Sequence, residues 1–166
     1  MSIVWRDQMS IDGGLIDNDH KYLIGLVNQV DAIQPGPAMP EQLAAIMVRL
    51  DAYARIHFER EERLQAAAGF PYANAHHRRH EDLARQLDAM RAECGKAVAT
   101  QEMLAFQVRL ADFLYHRLVD HIIKADILMK PYVVKMQLHT GGIVSLAEAV
   151  QRSDPDKAAG RTSSHP

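Results

Sequence analysis

Apolar residues recur along the chain at helical rather than strand spacing, in four successive stretches. The first carries Leu23, Ile24, Val27 and Val30 behind Asp17, a good N-cap, and predicts a helix over 17–33. The segment QPGPAMP breaks it, and Pro40 then suits a first helical turn. The stripe Leu43, Met47, Leu50, Tyr53, His57, Glu61, Leu64 runs on to Gly69 and Pro71, which predicts a second helix. A third starts near Asn74 and carries His76, His80, Leu83, Leu87, Met90 and Cys94, with Gly95 as its stop. The fourth begins after Thr100. Its stripe is Leu104, Val108, Ala111, Leu114, Leu118, His121, Ala125 and Leu128, and Pro131 kinks or ends it.

Four amphipathic helices on short connections predict an all-α fold, an antiparallel up-down-up-down four-helix bundle. The bundle is expected over residues 1–136, opening with an arm over 1–16 that lacks long regular structure. Residues 137–166 form a C-terminal extension. In it Ile143–Val150 suits a short helix, and SDPDKAAGRTSSHP, polar and rich in breakers, is expected to be a disordered tail.

Composition narrows the function. The 166 residues suffice for one domain with a real core. The net charge is −2 with both signs mixed, and no basic face suggests a nucleic-acid partner. No apolar run approaches the ~18 residues of a membrane span, so membrane insertion is not expected. The N-terminus MSIVWRDQMS has polar residues where a signal peptide has an apolar core, which predicts a cytoplasmic protein. Cys94, the single cysteine, lies on an apolar stripe and reads as a core thiol. What changes the picture is the histidine content, nine in all.

Several of those histidines stand at core positions. His20 heads the first stripe, His57 and Glu61 are four apart on the second helix, and His76 and His80 are four apart on the third. His121 lies in the fourth stripe, with Asp126 five residues on. Residues four apart project from one helix face, and in a bundle all four stripes turn to one axis. Five imidazoles and two carboxylates therefore meet in the core. Burying such groups unpaired costs roughly 1–3 kcal/mol each, too much for a domain stable by about 5–15 kcal/mol. Seven donors exceed a tetrahedral site and suit two metals sharing two bridging carboxylates. Any one of these residues alone reads more simply as a hydrogen-bonded or exposed side chain. The alignment of all seven with core stripes is what points to metal. Asp126 fits least well, because five residues advance about 140° around an ideal helix. A π-bulge between His121 and Asp126 is expected to bring them together.

These residues carry a family resemblance. Trp5 with MSIDGGLIDNDHKYLIGLVN, then YARIHFEREE with AGFPY, then HHRRH, then FLYHRLVDHIIKAD, resemble the hemerythrins, in particular the bacterial single-domain proteins, over about residues 5–132. The resemblance implies two iron ions with an oxo or hydroxo bridge. It places His76, His80 and His121 on one iron and His20 and His57 on the other, which keeps an open position, with Glu61 and Asp126 bridging. It implies a protein that binds dioxygen reversibly as carrier, store or sensor, not an enzyme. Leu118 and Ile122 match the apolar ligand pocket of the family.

The chain departs from the family pattern twice. Arg117 stands where the family usually has a pocket Trp, and Met129 where it often has Tyr. Arg117 is expected to send its head to solvent, pairing with Asp120, which leaves the pocket more open. Two other readings stay open: a di-iron enzyme handling peroxide or nitric oxide, and a metal-binding interaction module whose C-terminal extension contacts a partner protein.

Overall fold

The computed structural model describes residues 2–139. Three long helices come first, α1 (Leu15–Ala32), α2 (Met39–Ala68) and α3 (Ala73–Thr100). The fourth arm is compound. It runs through α4 (Met103–Phe113), a π turn at Leu114–Val119, α5 (Asp120–Lys124), a 3-10 turn at Asp126–Met129 and α6 (Lys130–His139). α1 packs on α2, α2 on α3, α3 on α4 and α4 back on α1, closing the expected four-helix bundle, and α6 packs on α2. Among the described residues no helix is long and apolar enough to cross a membrane.

The apolar stripes meet in one main core, where Leu23, Leu50, Leu87, Phe106, Leu110 and Leu114 are all fully buried. Each such side chain contributes roughly 1.5–3 kcal/mol by leaving water. Cys94 belongs to this core, as its stripe predicts. A smaller apolar cluster gathers Ile11, Ile16, Leu64, Phe70, Met129 and Val133, joining the arm to the end of α2 and the start of α6. The arm contains only a 3-10 turn, Asp7–Met9. It is tied to α1 where the Ile3 N–H donates to Asn28 Oδ1 at 2.8 Å and Asn28 Nδ2 donates to the Ile3 carbonyl at 2.9 Å.

Several boundaries differ from the sequence reading. α1 starts at Leu15, not Asp17, because Asp12 does the capping: its carboxylate accepts the N–H groups of Gly14, Ile16 and Asp17. Asp17 turns its own carboxylate back to the arm, accepting from the Ser10 hydroxyl and the Ile11 and Gly13 N–H groups. α3 runs through Gly95 to Thr100. Buried Cys94 and Ala97 carry it past the glycine, and the stop comes from Gln101 at φ 61°. Pro131 neither kinks nor ends a helix; it lies in the first turn of α6, where a missing N–H costs nothing. α6 also continues to His139, past the expected domain boundary at 136. The short helix expected at 143–150 and the tail after it lie outside the described residues.

The fourth stripe is the largest correction. Leu104, Val108 and Leu128 are 55%, 63% and 53% exposed, while Met103, Phe106 and Leu110 are buried. Leu128 lies in the 3-10 turn at Asp126–Met129; for Leu104 and Val108 the cause is the π turn. It inserts a residue into the i→i+4 ladder, so a stripe traced backward from His121 in α-helical steps lands one residue late.

Gly69 ends α2 at φ 65°, ψ 39°, with its N–H donating to the Ala66 and Gln65 carbonyls. A side chain there strains the backbone even though its Cβ meets nothing. Gly69→Ala is expected to lower stability by about 1–2 kcal/mol, read as a reduced urea midpoint at unchanged slope.

Candidate metal centre

Each arm of the bundle delivers its polar residues by its own phase. His20 sits in α1 between the core residues Ile16 and Leu23, His57 and Glu61 lie one turn apart on α2, and His76 and His80 lie one turn apart on α3. His121 comes from α5 and Asp126 from the start of the 3-10 turn. All seven are buried, His20, His57, Glu61 and Asp126 completely.

The structure brings all seven together. Asp126 Oδ1 lies 2.9 Å from His121 Nε2 and 3.1 Å from His76 Nε2, and its Oδ2 lies 3.3 Å from His20 Nε2. Glu61 Oε2 lies 3.4 Å from His57 Nε2 and 3.3 Å from His80 Nε2, and its Oε1 lies 3.5 Å from His76 Nε2. Two donor groups result. One comprises Glu61, His76, His80, His121 and Asp126, the other His20, His57, Glu61 and Asp126, each with ligand atoms within 4.8 Å of one another. The two carboxylates belong to both.

The pairing of His121 with Asp126 does not use a π-bulge between them. The Ala125 N–H donates to the His121 carbonyl at 2.8 Å, an ordinary α-helical bond, and the π turn lies one turn earlier. The α-helix instead ends at Ala125, whose φ −99° and ψ −51° are stretched from ideal helical values while staying right-handed, and the 3-10 turn begins after it. The regular 100° step no longer applies across that break, and Asp126 comes round to the imidazole.

The donor atoms sit close without being satisfied. The Nε2 atoms of all five histidines, Glu61 Oε2 and both Asp126 oxygens are buried and make no hydrogen bond. Their separations are near hydrogen-bond length, but their directions converge on shared points rather than on each other. Buried polar atoms left this way cost about 1–3 kcal/mol each, and metal ions at the two foci would satisfy them together. The electrostatics agree. Burial and the neighbouring Asp126 push the Glu61 carboxyl up, yet His76, His80 and His57 outweigh them and hold it at about 2. Burial likewise opposes ionisation of Asp126, but His121, His20 and His76 hold its carboxyl well below the usual range. Burial pushes the His76 imidazole down, while Asp126 and Glu61 raise it to about 9. The ionised acids supply negative charge for cations, and the same charge draws a proton to the His76 imidazole that a bound metal would displace. Five imidazoles and two carboxylates fit divalent transition metals.

A surrounding set of groups, not anticipated from the sequence, orients the donors. Asp19 Oδ2 lies 3.6 Å from His57 Nδ1, while its Oδ1 accepts the Tyr53 hydroxyl and Arg60 Nη1, each at 2.8 Å. Burial alone would raise the Asp19 carboxyl, but His57, Tyr53 and Arg60 bring it below the usual range. Glu62 stands 2.8 Å from His80 Nδ1 and 2.9 Å from His77 Nδ1. Gln65 Nε2 reaches Glu61 Oε1 at 3.4 Å, and Phe58 stacks on His80 at 4.1 Å. The sequence clues were present: Asp19 adjoins His20 and Glu62 adjoins Glu61, but a charged neighbour of a core residue usually reads as solvated surface. Asp19→Asn and Glu62→Gln are each expected to weaken metal binding by about 10–100-fold, measured by chelator competition. Unchanged affinity would show that these carboxylates do not act through the imidazoles.

Among the described residues, the remaining histidines lie elsewhere. His77 and His116 are exposed beside Glu62 and Asp112, and His139 Nδ1 contacts the Lys135 carbonyl. Leu118 and Ile122 are each 1% exposed in the main core. Arg117 is exposed as expected, but Asp120 pairs with Lys124 at 2.7 Å rather than with it.

Comparison with known proteins agrees with this geometry. The model of a family described as the hemerythrin HHE cation binding domain matches residues 14–133. The bacteriohemerythrin of Pseudomonas aeruginosa is 30% identical over 89 residues, 54% of this chain and 58% of that protein. That of Stenotrophomonas maltophilia is 34% identical over 82 residues, 48% of this chain and 51% of that protein. The chain thus spans little more than half the length of these two relatives. The bacteriohemerythrin of Clostridium acetobutylicum is 25% identical over 129 residues, 74% of this chain and 95% of that protein.

Proposed function

The chain belongs to the hemerythrin family, and on that premise we propose that it binds dioxygen reversibly at a non-haem di-iron centre held by His20, His57, Glu61, His76, His80, His121 and Asp126. The observation that carries this reading is the pair of donor groups sharing Glu61 and Asp126. In it His76, His80 and His121 serve one iron, His20 and His57 serve the other, and the two carboxylates bridge. The five-donor group would hold one metal ion more completely than the four-donor group would hold the other, which would leave the second ion room for a ligand.

Iron held there supplies the electrons that dioxygen takes up on binding and returns on release. The rest falls to the chain. Asp19 and Glu62 fix the ring planes of His57 and His80. Leu118, Ile122 and Phe58 belong to one apolar core cluster, and the Phe58 ring lies 5.8 Å from His57 and 6.4 Å from His121, excluding water from the centre. Five imidazoles against two carboxylates place less negative charge on the metals than a carboxylate-rich site does. The Glu-x-x-His motif of oxygen-activating di-iron bundles does not occur in the chain. Both features favour binding over oxidation, so the chain is read as a binding protein, with carriage, storage or sensing as its use of dioxygen.

Rapid mixing of the reduced, iron-loaded protein with dioxygen tests the reading. Uptake of one dioxygen per two irons without release of peroxide supports it. Immediate oxidation with turnover of peroxide would replace it with a di-iron enzyme.

A further inference from the structure

Beside the five-donor group, an open groove of about 550 Å³ runs between α3 and the fourth arm. Its walls carry Arg78, Arg79 and Arg117, and His121 lies against it. The acids within it are already engaged. Asp82 accepts from Arg85 and Gln86, and Asp120 from Lys124. Arg78, Arg79 and Arg117 pair with no acid among the described residues. Three guanidiniums, two from α3 and one from the fourth arm, therefore line the groove without an acidic partner among the described residues.

His121 is the second observation. A metal-binding histidine ordinarily passes its other ring N–H to a carboxylate, a carbonyl or water. His80 has Glu62 in that role at 2.8 Å, and Asp19 Oδ2 stands 3.6 Å from His57 Nδ1. His121 turns Nε2 toward Asp126, and its Nδ1 makes no hydrogen bond among the described residues. This ring is 7% exposed and borders the groove.

We propose that the groove binds a small doubly charged oxyanion, a phosphate or a dicarboxylate, which Arg78, Arg79 and Arg117 hold and which accepts the Nδ1–H of His121. Guanidinium forks match two oxygens of such an anion in a way ammonium groups do not. The bound anion completes the support that His121 lacks, and it does so from outside the bundle. Its presence in solution is thereby coupled to the electronic properties of the centre. The link to the centre rests on His121 being a metal ligand; the anion site itself does not.

The test is calorimetric titration of inorganic phosphate, and separately of succinate, into the iron-loaded full chain at low ionic strength. The absorption spectrum of the oxidised centre is followed in parallel, with chloride as control. Saturable binding is expected, accompanied by a shift of the charge-transfer bands. The double variant Arg79→Ala/Arg117→Ala should weaken it at least 10-fold while keeping its iron content and anion-free spectrum. Tighter binding of phosphate or of succinate identifies which anion the groove prefers. Absence of saturable binding, or binding that the double substitution leaves unchanged as direct ligation to iron would, overturns the proposal. Binding that depends on the arginines but leaves the spectrum unmoved overturns the link through His121. Failure of the dioxygen reading would appear elsewhere, in the anion-free protein, as failure to take up dioxygen with phosphate absent.

Discussion

Removing the metal is expected to lower the melting temperature by about 10 °C. The Nε2 atoms of five imidazoles, Glu61 Oε2 and both Asp126 oxygens are buried without hydrogen bonds, and cations at the two donor groups would satisfy them together. A ligand bound to the native state alone at about a thousand times its dissociation constant stabilises by about 4 kcal/mol. For a chain of this size each kcal/mol moves the midpoint by about 2–4 °C. The stripped protein keeps its main core, with Leu87, Phe106 and Leu110 still buried far along the helices, so it remains folded but weakened. Thermal scans of iron-loaded and chelator-treated protein measure the difference. Equal midpoints would mean that the buried donors find other partners and that metal is not part of the fold's stability.

Asp126→Ala is expected to abolish tight binding of both metals, whereas His57→Ala abolishes one. The difference follows from the sharing of donors. Asp126 belongs to both groups, with Oδ1 facing His121 and His76 and Oδ2 facing His20. Its loss removes a charged donor from each site. His57 belongs only to the four-donor group. Removing one partner of a buried charged set costs about 3–5 kcal/mol. At about 1.4 kcal/mol per decade, that is about two to three and a half decades of affinity at each site the residue serves. Metal analysis after equilibration with a chelator should find about one ion per chain in His57→Ala and close to none in Asp126→Ala. Similar occupancy in the two variants would contradict the bridging arrangement.

How much of this was legible in the sequence depended on whether periodicity alone decided the outcome. α2 and α3 are straight, so His57 with Glu61 and His76 with His80 could be placed on core faces by counting fours. The fourth arm could not be counted. Its π turn at Leu114–Val119 shifts the phase by a residue, which put Leu104 and Val108 on the core face in place of Met103, Phe106 and Leu110. Backbone hydrogen bonding, not side-chain pattern, decides such a shift, and no residue type in LYHRLV announces it. The same holds at Ala125, where a break in the helix rather than a bulge brings Asp126 to His121. Asp12 was passed over as a cap because Asp17 stands closer to the first apolar residues; which of two nearby acids caps a helix depends on the path of the preceding loop. Asp19 and Glu62 escaped notice, and Tyr53 was placed only as a core-stripe residue, because orienting groups have no spacing rule of their own. They are found only once the imidazoles they face have been placed.

Reversible binding of dioxygen at the paired site is read out by cycling the protein through oxygenation and evacuation. Iron-loaded protein is reduced, its spectrum recorded, dioxygen admitted, and the gas then removed under vacuum through repeated rounds. The account predicts an oxygenated spectrum that returns each time to that of the reduced protein, with two irons per chain throughout. A centre that stays oxidised after the first exposure, or reversible spectra from protein holding one iron, would contradict it.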